Sequence, residues 1–163
     1  KYNKQFNFIV FLSYCSKDYE KVDKNILPSF NRCFKEIFNT DKDLVCTGET
    51  NFITRMRIID EIHRCIDESL VVISVKTPTF LQSQRSQEEF VVAVEKRQKV
   101  VILMEHEKDT LTANTTIKHL IGHYTKAIWS DNEGGFVIRP TWDKICEGII
   151  NTAAETLHNY YFR

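Results

Sequence analysis

The residues best suited to chemistry stand where the apolar run Phe8–Leu12 stops and Ser13-Tyr14-Cys15-Ser16 begins, inside FNFIVFLSYCSKDYEK. Two kinds of hydroxyl and a thiol at the end of a greasy strand either make a turn or line an opening. Cys15 is the thiol nearest that opening, and a turn residue that packs its sulfur is the plainer reading of it. His119 and His123 lie four apart on a helical stretch, but HExxH is absent and no further ligands stand near them. A surface pair is the better account, and no metal site is expected. MEHEKD, at 104 to 109, reads as a solvated loop after a strand. No GxGxxG follows the first strand, and neither GxxxxGK nor GxSxG occurs, so the common nucleotide cradles and the nucleophile elbow are excluded.

These groups need elements to position them. Strand patterns recur at Phe8–Leu12, Leu44–Cys46, Leu70–Ser74, Val100–Met104 and Ala127–Trp129. Between them, Tyr19, Val22, Ile26, Phe30, Cys33 and Ile37 step by three or four and predict one face of a helix, kinked or split at Pro28. Ile58, Ile59, Ile62, Cys65, Ile66 and Ser69 trace a second helix, and Phe90, Val91 and Val94 a short third. Ile117, Leu120 and Ile121 suggest a fourth. Thr141 is the expected N-cap of the last, with Trp142, Ile145, Ile149, Ala153 and Leu157 on its apolar face.

Alternation of helices with continuously apolar strands predicts a parallel sheet covered on both faces. Five strands favour a flavodoxin-like three-layer α/β sandwich, sheet order 2-1-3-4-5, as one domain over residues 1–163. In such a sheet ligands gather outside the carboxyl ends of the strands, at the switch point between strands 1 and 3. Ser13, Tyr14 and Cys15 then stand at the mouth of any cleft, with Ser74 opposite. A response regulator shares this architecture but needs an Asp at the end of strand 3, where this chain has Ile73-Ser74-Val75. Phosphoryl acceptance is therefore not expected.

Composition sets outer bounds. Lys+Arg and Asp+Glu are both 22, giving a net charge of zero, which removes a general electrostatic grip on nucleic acid or anionic lipid. No apolar run nears the roughly 20 residues that cross a bilayer, and the chain reads as a domain excised from a longer protein. The five cysteines (Cys15, Cys33, Cys46, Cys65 and Cys146) are odd in number and scattered, without a CxxC pair. Free thiols in a reducing, cytoplasmic setting are expected.

Four stretches, in order, resemble the Toll/interleukin-1 receptor (TIR) domain family. FIVFLSYCSKD is similar to its first box, and LVCTGETNFITR to its second strand and the long BB loop that follows. LVVISVKTPTFLQSQRSQEEF is similar to its third strand and the Ser, Phe, Ser and Glu beyond it, and IRPTWDKI to its third box. Together they cover nearly the whole chain. The chain departs from the family pattern in lacking the Pro-Gly of the loop, and in having Arg85 where an aromatic often stands four residues before the Glu.

The resemblance implies two functions. The first is innate-immune signalling by association with other TIR domains, itself or adaptor and receptor partners, as a homo-oligomer or filament on activation. The interaction residues would be Glu49, Thr50, Asn51, Phe52, Ile53, Thr54 and Arg55, with Phe52 and Ile53 as apolar anchors. The second is cleavage of nicotinamide from NAD, with Glu89 as the catalytic carboxylate and Tyr14, Cys15 and Arg85 lining the nucleotide cleft. Arg85 could hold a phosphate or pair with Glu89 instead. No cofactor is required in either case, and NAD would enter as a substrate. Without the resemblance, Glu89 reads as a solvated helix residue in SQEEF.

Overall fold

The computed structural model describes residues 5–47, 58–77, 79–80, 83–96, 99–104, 125–128 and 139–162. Strands β1 (Phe8–Ser13), β2 (Val45–Thr47), β3 (Ser69–Lys76), β4 (Val100–Met104) and β5 (Thr125–Ile128) form one sheet. All neighbours are parallel, in the order β2-β1-β3-β4-β5. The expected architecture and strand order are those observed. Every residue of β3 and β4 is buried, as a parallel sheet covered on both sides requires.

Side-chain alternation sorts the core into two halves. Val10, Leu12, Val71, Ile73, Val101 and Leu103 meet one pair of helices, α2 (Leu27–Phe38) and α5 (Arg139–Tyr161). Phe11, Cys46, Val72, Ile102 and Met104 meet the other pair, α3 (Ile58–Asp67) and α4 (Gln84–Glu95). At the centre of the first half the Trp142 ring stands edge-on to Phe30, their centroids 5.2 Å apart. Both are fully buried.

The first helical run shows how Pro28 is accommodated. After a 3-10 turn (Ser16–Asp18) and the short helix α1 (Tyr19–Lys21), Val22–Ile26 forms a π-helical segment that leads directly into α2. The Leu27 N–H reaches back to the Val22 carbonyl, five residues away. This wider turn precedes Pro28, the second residue of α2, whose ring would crowd the carbonyl four residues earlier in a regular helix. The expected split is thus a π-segment rather than a break. α2 ends at Asn39, in the left-handed region at φ 48°, with its N–H on the Lys35 carbonyl at 2.8 Å, a conformation Asn tolerates better than most residues.

Several expected boundaries change. β3 continues two residues past Ser74, to Lys76, and it begins with Ser69, a residue whose spacing predicts the second helix. The Ser69 hydroxyl donates to the Cys65 carbonyl at 2.7 Å, so a strand residue finishes the helix before it. Thr141 is inside α5 rather than its N-cap, since that helix starts at Arg139. Val91 is exposed, and α4 buries Phe90, Val92 and Ala93 instead. Tyr19 and Ile37 are exposed at the two ends of the predicted first face. Trp129 and the stretch around Ile117, Leu120 and Ile121 lie outside the described residues.

All five cysteines are free and buried. Cys46 of β2 and Cys65 of α3 share a thiol hydrogen bond that raises the first and lowers the second, Arg64 beside Cys65 adding to the lowering. Burial, then Cys33, raises Cys146. Among the described residues no helix is long and apolar enough to cross a membrane.

Truncating Phe30 to Ala should lower unfolding free energy by about 3–5 kcal/mol, through lost burial and the cavity left under Trp142. Ile37→Ala, at a half-exposed position, should change it by less than about 0.5 kcal/mol. Urea unfolding of the two variants separates these outcomes.

Candidate functional site

The carboxyl edge of the sheet is where β1 and β3 end side by side, with Ser13 opposite Ser74 in register. Chain leaves β1 toward β2 on one side and reaches β3 on the other, so this is the switch point of the sheet. Ser13 follows Phe11 in alternation and shares its face, the one covered by α3 and α4. From α4, Glu89 reaches this edge and accepts a hydrogen bond from the Ser13 hydroxyl. Glu89 is 5% exposed. The reading of it as a solvated helix residue is therefore wrong, since α4 turns this carboxylate inward alongside Phe90 and Ala93.

A second link crosses the same edge. Asp18, in the turn after β1, accepts hydrogen bonds from Thr77 at 2.5 Å and from Thr79 at 3.1 Å, both just beyond β3. The Thr77 hydroxyl also accepts the Phe80 N–H at 3.1 Å. The turn after β1 is thus tied to the segment after β3. Sequence reading missed Asp18, Thr77 and Thr79; the signal was there in KTPTF, where closely spaced threonines favour local turns.

Lys76 was also missed, because the strand was expected to stop at Ser74. It is the last residue of β3, on the same face as Ser74, and only 1% exposed. Its Nζ lies 3.6 Å from the centroid of Phe80 and 4.1 Å from that of Phe90. Neither this amine nor the Ser74 hydroxyl has a hydrogen-bond partner among the described residues. Burial pulls the Lys76 amine down from 10.5 to about 7.

The other expected site residues fare differently. Tyr14 is half-buried and packs with the α2/α5 half of the core, whereas Glu89 belongs to the α3/α4 side. The described contacts therefore do not bring these two together. Cys15 is buried at the start of the 3-10 turn, where its carbonyl accepts the Asp18 N–H at 2.8 Å. Arg85 is in the first turn of α4, but its side chain lies outside the described residues. So do His119, His123 and the interaction segment Glu49, Thr50, Asn51, Phe52, Ile53, Thr54 and Arg55.

Another buried acid, Glu61 of α3, is held by Arg64 at 2.9 Å, and Arg64 also reaches Glu68 at 3.0 Å. Glu61 raises the Arg64 guanidinium further. This ion network ties the last turns of α3 together. Two surface depressions, of about 390 and 400 Å³, lie between α2 and β2 and between α2 and α5. Neither touches Glu89 or Lys76, and the buried polar groups at the sheet edge are the stronger indication of a site.

The lysine provides a direct check on this geometry. Its amine holds a proton up to about 10.5 when unfolded and only to about 7 when folded, so unfolding takes up a proton between those values. Stability of the native chain should therefore climb relative to Lys76→Met as pH rises from 7 toward 10.5, by up to about 1.4 kcal/mol per pH unit. Below pH 7 the difference should level off with the variant favoured. Urea unfolding of both proteins at several pH values measures it; a flat difference means the amine is not desolvated.

The sequence matches no protein-family model and no curated protein. Among solved structures, the chain is similar to the TIR domain of the Toll-related receptor TRR-2 from Hydra magnipapillata, with 15% identity and a TM-score of 0.64. That likeness covers 90% of this chain and all of the other. The TIR domains of the activated Roq1 resistosome, recognising the effector XopQ, align at 13% identity and a TM-score of 0.49, over 94% of this chain and 99% of theirs. The chain has the fold of a TIR domain.

Proposed function

We propose that this chain is a TIR-type signalling module that works by associating with like domains through the segment Glu49 to Arg55, in innate-immune signalling in the cytoplasm. The observation that supports this reading is where β2 ends. β2 ends at Thr47, which pairs with Leu12, one residue before Ser13. β2 therefore ends at the carboxyl edge, beside the switch point, and the chain is next described at Ile58, the start of α3. Phe52 and Ile53 supply apolar anchors between polar neighbours, and a few such residues dominate many interfaces. A head-to-tail contact that does not close on itself would extend into a filament. Zero net charge limits repulsion between stacked copies. Five free cysteines suit a reducing compartment.

A second reading is favoured by Glu89. Cleaving nicotinamide from NAD builds positive charge on the ribose, and a fixed carboxylate stabilises that transition state. Glu89 is a buried carboxylate whose orientation is set by Ser13, at the edge where ligands of such sheets bind. Ser13 is thereby a positioning residue. The two readings are compatible, since association could complete a site between neighbours.

Two measurements separate them. Phe52→Asp should abolish concentration-dependent self-association in light scattering; unchanged association removes the segment as the anchor. Nicotinamide released from NAD at high protein concentration should fall at least a hundredfold in Glu89→Gln, while folding is retained. Absence of turnover by the native domain under crowding that drives assembly leaves the interaction role alone.

A further inference from the structure

We propose that Lys76 is a carbonyl-reactive amine, a site at which a small aldehyde or ketone is held as a Schiff base. A lysine kept only for packing would carry its charged end out to water along an apolar stem. Lys76 does the reverse, burying its Nζ at the carboxyl edge with two phenyl faces against it and no hydrogen bond among the described residues. It makes no ion pair among them either, and Glu89, next to Phe90 in sequence, is engaged by Ser13. Ser74, two residues earlier on the same face, is a second buried group without a partner. Two adjacent orphans of this kind call for a ligand.

The chemistry of the surroundings selects the ligand class. An oxyanion would lie against ring faces that carry negative charge. A carbonyl compound fits instead, because the iminium it forms is a cation that those faces stabilise. Burial keeps about half of the amine neutral at pH 7, and only the neutral form has a lone pair to give. The lone pair attacks the carbonyl carbon, and the carbon–oxygen π pair moves to oxygen, which takes the proton released by nitrogen. The resulting carbinolamine loses its oxygen as water. Nitrogen and carbon are left doubly bonded, and one proton from solvent makes the iminium. The Ser74 hydroxyl is on the face where it can donate to the carbonyl oxygen. No oxidant or reductant is consumed. This inference is independent of whether Glu89 acts on NAD.

The test treats the native domain with ¹³C-formaldehyde and cyanoborohydride at pH 7, with mass-spectrometric mapping of each lysine over time. Lys35 is the internal standard, with its side chain 69% exposed. At about 7 instead of the ordinary 10.5, Lys76 has roughly a thousandfold more neutral amine at pH 7 than it would have if exposed. Lower nucleophilicity offsets part of this, so Lys76 should be modified at least tenfold faster than Lys35. Anything less than tenfold overturns the proposal, as does a Lys76 that reacts only after unfolding in urea.

Discussion

Burying a carboxylate costs several kcal/mol unless hydrogen bonds replace the water it loses. Glu89 can lie inside because β1 delivers the Ser13 hydroxyl to it. That delivery in turn depends on register, since Ser13 must be the residue of β1 that faces α4 and ends level with Ser74. A slip of one residue would turn Tyr14 or Leu12 toward α4 and remove the Ser13 hydroxyl from the carboxylate. The hydrogen bond between Ser13 and Glu89 therefore links the sheet, the helix packed on it and the edge where a ligand would bind.

The polar groups around that bond divide by how well they are satisfied. Asp18 is matched by Thr77 and Thr79, and Glu61 by Arg64. Both arrangements tie neighbouring segments together. Ser74 and Lys76 stay unmatched among the described residues. Structural networks tend toward saturation, because an unpaired buried polar atom is destabilising by roughly 1–3 kcal/mol. Unmatched groups collected at a switch point are accordingly where function is to be sought, and Ser74 stands in register with Ser13, the donor to the one acid that family resemblance selects.

The Lys76 slot also bears on how the edge responds to charge. Two phenyl faces favour a cation at Nζ, while desolvation favours the neutral amine. Desolvation acts on the whole charge, whereas ring faces return only about 0.5–2 kcal/mol each, so the amine loses its proton near neutrality. The same slot would hold an iminium with less loss, since the charge of that ion is spread over carbon and nitrogen.

By itself the sequence determined the layers and the order of the sheet. Unbroken apolar strands such as Phe8–Leu12 and Val100–Met104 are tolerated only where both faces are covered, and five of them separated by helices leave few topologies. It also placed Ser13 at the mouth and, through family spacing, singled out Glu89. It did not show that Glu89 points inward, that Tyr14 packs on the other side, or that β3 carries Lys76 into the core. Those depend on which face of α4 meets the sheet and on how far β3 stays paired with β4, through Lys76 opposite Met104. Side-chain direction at an element's end is set by partners distant in the chain. Local pattern records apolar periodicity, but a lysine after an apolar run looks the same whether the strand stops before it or buries it.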